Sequence, residues 1–224
     1  MRMIRSRMRG DSTDRWRESY GRVSKDLLRD VQDTNRSRLR LMGVDALDRR
    51  TRILDVGAGD GNLFTTLRAE GFSQAWGFEY QKELAVLHPQ RCRIVVASAT
   101  DIPFATGSMG AVVVMDVLHH LTQSQLSLCF AEVRRVLQAG GLLFVCEPAG
   151  TPLHRVLTLL LMSPLSRLSS FSRDKRAMVE AEKDTLQPWL ESEHGIPARV
   201  AAGGFRIEFF RRYWLHHYGR FRAI

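Results

Sequence analysis

Residues Ile53–Leu67 read ILDVGAGDGNLFTTL, an apolar run that passes through three alternate glycines straight into an amphipathic stretch. A chain that must turn from strand to helix in so short a space has few folds open to it. Glycine permits the backbone such a turn needs, and it lets a ligand approach the chain with no Cβ in the way. In doubly wound sheets this is the ligand-binding place, at the carboxyl end of the first strand. A dinucleotide fingerprint would put its third glycine at position 62, where Asn62 stands; the spacing is GxGxG, not GxGxxG. Glu79 follows 20 residues beyond Gly59, at the end of the next apolar run. A carboxylate there accepts hydrogen bonds from both hydroxyls of a ribose; a solvated loop glutamate is the plain alternative.

The surrounding pattern repeats the unit. Apolar runs at Arg52–Val56, Ala75–Phe78, Arg93–Ala97, Ala111–Asp116 and Leu142–Cys146 predict five strands. Helical stretches at Asn62–Glu70, Gln81–His88 and Thr122–Leu137 lie between them, the last with Leu126, Phe130, Val133 and Leu137 on one face. The fourth strand is apolar throughout, as a strand buried on both faces should be. Phe205–Trp214 reads as a sixth strand, and Leu215–Ala223 offers a weakly patterned seventh. The fold expected is α/β: a Rossmann-like, doubly wound, mostly parallel seven-stranded sheet with helices on both faces and a helical insert after strand five.

That reading divides the chain into an N-terminal helical extension (1–50), a cofactor-binding core (51–150), a helical lid or insert (151–195) and C-terminal strands completing the sheet (196–224). The extension carries a charged helix over 14–41, with Trp16, Tyr20, Val23, Leu27, Leu28 and Val31 as its apolar stripe. The insert falls into two helical pieces separated near Ser169–Asp174. Leu153, Val156, Leu157, Leu160, Leu161, Leu165 and Leu168 line one face of the first, and Pro164 kinks or ends it.

Composition closes off other classes. The net charge is +9, carried almost wholly by arginine, since lysine occurs only at positions 25, 82, 175 and 183. Such a balance suits an acidic partner or reflects a host-genome bias. Cys92, Cys129 and Cys146 are widely spaced, so neither a disulfide framework nor a structural metal is indicated, and a reducing cytoplasm is expected. No apolar run approaches the roughly 20 residues that span a bilayer.

Taken in series, ILDVGAGDG, WGFEY, ATDIPFATGSMGAVVVMDVLHHL and VRRVLQAGGLLFVCEPAG resemble successive motifs of the class I S-adenosylmethionine-dependent methyltransferases. The similarity is to the small-molecule branch typified by ubiquinone- and menaquinone-pathway enzymes, and it covers roughly residues 50–150. The resemblance implies S-adenosyl-L-methionine as cofactor. Gly57, Ala58, Gly59 and Gly61 would line its methionine and ribose portions, with Asp55 supporting the loop from beneath. Glu79 would bind the ribose and Tyr80 lie against the adenine. Ser98-Ala99 stand where the family carries an adenine-reading aspartate, and Met109-Gly110 where it shows an aromatic residue and aspartate. Asp116 ends the fourth strand at the cofactor.

His119 and His120 follow at once, and either suits a general base toward a hydroxyl or acidic carbon of the acceptor. Glu147, ending strand five, would join or orient them. Packing is the plain alternative for one histidine of the pair; His216 and His217 read as surface residues. With no carboxylate cluster nearby in sequence, no metal is assigned. The leucine face of the insert suits a small, apolar or lipid-like acceptor, or a peripheral membrane contact flanked by Arg155, Arg167, Arg173 and Arg176. It would equally pack on the sheet. Arg199, Arg206, Arg211, Arg212, Arg220 and Arg222 leave open a nucleic-acid substrate, which is disfavoured because Asp116-Val117-Leu118-His119 replaces the expected Asn/Asp-Pro-Pro-aromatic signature. A non-catalytic cofactor-binding protein is the remaining alternative.

Overall fold

The computed structural model describes residues 25–59, 61–85, 93–164, 170–191 and 195–224. The expectations placed on residues 14–24, 86–88, 165–169 and Cys92 lie outside them. Strands β1 (Ile53–Val56), β2 (Ala75–Glu79), β3 (Ile94–Val96), β4 (Met109–Met115), β5 (Leu137–Pro148), β6 (Phe205–Arg212) and β7 (His216–Ala223) form one seven-stranded sheet in the order β3-β2-β1-β4-β5-β7-β6. The first five pair in parallel, and β7 enters antiparallel between β5 and β6. The sequence order reverses beside β1, so the ends of β1 and β4 diverge into a crevice at their carboxyl side.

Helices cover both faces. Along β4, Val112 and Val114 point into one core with Leu126, Phe130 and Val133 of α4 (Gln123–Val136) and Val200 of α7 (Ile196–Ala202). Ala111, Val113 and Met115 point into the other, with Leu39 and Met42 of α1 (Lys25–Met42) and Phe64 and Leu67 of α2 (Asn62–Ala69). Burial on both sides explains the unbroken apolar reading of this strand. Thr122 starts α4 with a capping box: its side chain accepts the Gln125 N–H, and the Gln125 side chain accepts the Thr122 N–H. A short helix α3 (Lys82–Ala85) follows β2.

Two expectations need correction. The segment Leu137–Gly141 begins β5 rather than ending a helix, pairing Leu137 with Met109 before a register shift. The stretch before β6 holds α7, which the sequence reading gave wholly to strands. The weakly patterned seventh strand, by contrast, is present as expected, and it is paired on both sides. Its Arg220 and Arg222 both meet Glu208 of β6, so two of the C-terminal arginines are already matched.

The insert behaves as two parts. Helix α5 (Pro152–Met162) buries none of its residues, and Val156, Leu159 and Leu160 are more than half exposed. The leucine face therefore does not pack on the sheet. It stops at Ser163, whose extended backbone precedes Pro164 as sterics require. Helix α6 (Ser170–Glu191) docks its far end instead: Leu186 and Trp189 are buried, and the Trp189 indole donates to the Pro148 carbonyl at 2.8 Å.

Candidate functional site

Gly57, Gly59 and Gly61 all adopt the left-handed region, with φ of 68°, 54° and 81°. The three do different work. A Cβ on Gly57 would fall 2.6 Å from the Val117 side chain, so this glycine lets the loop settle against the end of β4. A Cβ on Gly59 would meet nothing within 4 Å. There the turn faces open space, as a cradle for a ligand should. Gly61 caps the start of α2.

Glu79 ends β2 with its carboxylate turned back to this loop. One oxygen accepts the Gly59 N–H and the other the Gln81 N–H, each at 2.8 Å. A carboxylate offers about four acceptor positions, so two bonds leave capacity for the hydroxyls of a ribose. Open space at Gly59 and spare capacity at Glu79 fit the cofactor that the sequence resemblance implies. Asp55 is buried beneath the loop, and Tyr80 projects beside it, 60% exposed. On the adenine side the picture is plainer. The Ser98 hydroxyl bonds Thr100 within a tight turn, and Ala99 is buried in the core, so any adenine contact from Ala99 comes from its backbone.

The carboxyl ends of β4 and β5 form the other half. Asp116 is the one non-glycine among the described residues with positive φ, at 56°. It receives the Arg38 guanidinium from α1 at 2.6 Å, and Arg38 also contacts the His216 ring at 2.8 Å. Burial raises the Asp116 pKa, but Arg38 and then His216 and His119 outweigh it, leaving the carboxyl below its ordinary value. His216 is thus part of the site, not a surface residue. Burial, with Arg38 beside it, pushes its pKa down to about 4. His217 stacks on Phe210 instead.

Glu147 is fully buried, and both of its oxygens are engaged. One oxygen accepts the N–H groups of Val117 and Leu118 at 2.7 and 2.8 Å; the other meets His119 Nδ1 at 2.9 Å. This holds the 3₁₀ turn Leu118–His120 against β5 and fixes the His119 ring. In the neutral tautomer with Nδ1–H donating to Glu147, Nε2 carries the lone pair; that nitrogen is buried with no hydrogen-bond partner among the described residues. Burial lowers the His119 pKa, yet the Glu147 hydrogen bond and charge, then Glu182 and Asp116, outweigh it and raise it above the ordinary value. His120 is more exposed, lies 4.1 Å from His119 between ring centres, and meets Thr185 of α6 at 3.3 Å.

Sequence reasoning therefore assembled the cradle and the His119–Glu147 pair. It missed Arg38, Glu182 and Thr185; the only signal toward the last two is that the insert was expected to act as a lid.

Residues 54–145 match the family model described as a methyltransferase domain. The chain is 28% identical to the demethylmenaquinone methyltransferase of Clavibacter sepedonicus over 69% of its own length and 65% of that protein's. It is 27% identical to the protein of the same name from Beutenbergia cavernae, over 81% and 78%. The chain thus spans just under two thirds of the first of these relatives. Its fold is shared with magnesium protoporphyrin IX methyltransferase from Synechocystis PCC 6803, solved with bound S-adenosylmethionine: TM-score 0.59, 15% identity, 96% of this chain and 92% of that one.

Proposed function

We propose that this chain, whose core is a class I S-adenosylmethionine-dependent methyltransferase domain, moves the methyl group to a hydroxyl or acidic carbon of a small, apolar or lipid-like acceptor. The observation that carries this reading is the buried His119–Glu147 pair, held where β4 and β5 end with one imidazole lone pair unspent. When bound, the cofactor supplies a methyl group activated on a sulfonium. The chain's residues do the rest. Gly57, Ala58, Gly59 and Gly61 hold the methionine and ribose portions over Asp55, and Glu79 takes the ribose hydroxyls. Tyr80 and the Ser98–Ala99 turn border the adenine. Glu147 fixes His119 so that Nε2, not Nδ1, accepts the acceptor's proton. General-base help of this kind is worth about 10²–10⁴-fold, on top of what alignment of the reactants contributes.

The acceptor class rests on two supports. The relatives' name, demethylmenaquinone methyltransferase, suggests a small molecule. The uncovered apolar face of α5 suggests an apolar one, met in the cytoplasm or at a membrane surface. No helix among the described residues is long and apolar enough to cross a membrane. Incubating the chain and a cell extract with methyl-labelled cofactor tests the reading. Label is expected in a small product extractable into organic solvent. Label retained on RNA or protein overturns it, as does the absence of cofactor binding in calorimetry.

A further inference from the structure

Two side chains converge on Nε2 of His119. Glu182, from the middle of α6, brings Oε2 to 4.0 Å from His119 Nε2. His120 completes a group in which one donor atom of each residue lies within 4.8 Å of the others. His119 contributes the second, independent sign of a ligand: its side chain is 1% exposed, and Nε2 is buried with no hydrogen-bond partner among the described residues. A buried ring nitrogen left in that state calls for an explanation.

We propose that His119 Nε2, His120 and Glu182 form a site for a divalent transition-metal ion of the Zn²⁺ class, and that an ion bound there blocks methyl transfer. Two imidazoles and one carboxylate are a recognised donor set for such ions, and they leave a fourth position open. Ligand bonds of about 2.0–2.1 Å would draw the donors to about 3.3 Å apart. The gap between His119 and Glu182 then closes by well under 1 Å. The outer support is already built: Glu147 holds Nδ1–H of His119, the arrangement that fixes a metal-binding imidazole and strengthens it as a ligand. Oxygen-seeking Mg²⁺ and Ca²⁺ suit this nitrogen-rich set poorly.

The block follows from one lone pair having two claimants. His119 Nε2 cannot both hold the ion and take the acceptor's proton. This second part rests on the base assignment above; the binding part does not. The ion would also tie α6 to the turn after β4, closing the space over the site. Sequence spacing hid the cluster because Glu182 belongs to the insert.

Co²⁺ titration of the full, chelator-stripped chain tests the site through the visible ligand-field band, with no activity assay needed. One ion per chain is expected, with about tenfold or greater loss of affinity in Glu182→Gln and in His120→Ala. Glu147→Gln should lose about 10–100-fold; Glu182→Gln, on the face of a helix, guards against variants that merely misfold. No band, or binding indifferent to Glu182→Gln and His120→Ala, overturns the site. Zn²⁺ should then inhibit transfer, with chelator restoring it and Glu182→Gln raising the concentration required. Activity lost to chelator and regained with Zn²⁺ overturns the block. Failure of the functional reading is visible separately, as a chain that gives the Co²⁺ band but transfers no methyl group in chelator.

Discussion

The two ends of the crevice are built in opposite ways. The cofactor end is local: a four-residue strand, three glycines in the left-handed region and one carboxylate returned from the next strand end. The end proposed for the acceptor is assembled from afar. His119 meets Glu147 across 28 positions, Asp116 meets Arg38 across 78, and the insert supplies Glu182 and Thr185. Backbone conformation specifies the first end and tertiary packing the second. The first should therefore fail through single residues in all-or-none fashion, and the second through loss of partners.

Substitutions can separate the two ends. His119→Ala is expected to cost about 10²–10⁴-fold in turnover, with cofactor affinity by calorimetry unchanged within about twofold. Equal losses in both would mean that the ends are one unit. Gly59→Val acts on the cofactor end alone. A side chain at φ 54° costs about 1–2 kcal/mol, and its methyl groups occupy the open cradle, so affinity should fall at least ~100-fold. Retained binding would refute the cradle. Glu79→Ala removes the acceptor of two N–H bonds, at about 1–3 kcal/mol for each donor left unsatisfied. Affinity should fall roughly 10–100-fold and the melting temperature by several degrees. A drop in melting temperature with unchanged affinity would make Glu79 a brace for the loop and nothing more.

The same contrast decides what could be read from the sequence. β1, β2, β4 and the carboxyl half of β5 were legible because both faces are buried, so apolar runs mark them directly; β3 showed as an apolar run although Val95 and Val96 lie exposed at the sheet edge. β7 was legible only weakly, because His216-His217-Tyr218-Gly219-Arg220 disguises a paired strand. Its polar positions are answered by neighbours, and Gly219 is small because a Cβ would meet the Phe221 ring at 2.5 Å. α7 was missed for want of length, its seven residues burying only Ile196 and Val200. Within the site, the Gly loop and Glu79 were legible because φ and strand-end position follow from local sequence. Arg38 and Glu182 were not. Each sits on a charged helix among similar charges, and nothing local distinguishes the one that reaches the crevice. The leucine face of α5 gave the reverse lesson: its periodicity was clear, but periodicity does not say what covers it.

Tyr80 is the finest test of whether the cofactor end is purely a matter of backbone. It follows Glu79 directly, so the bonds from Glu79 to Gly59 and Gln81 fix its position, yet its own side chain is 60% exposed. An exposed ring gains little from burial within the protein, so its use would come from a flat ligand laid against it. Aromatic contacts of this kind are worth about 0.5–1.5 kcal/mol, which corresponds to roughly 2–12-fold in affinity. Tyr80→Leu should therefore weaken cofactor binding by a few-fold and leave melting temperature and turnover at saturating cofactor unchanged. A larger loss would place side-chain recognition on a par with the glycine turn. An unchanged affinity would leave the cradle and Glu79 as the whole of the cofactor's hold at this end, with the adenine gripped by backbone near Ser98 and Ala99.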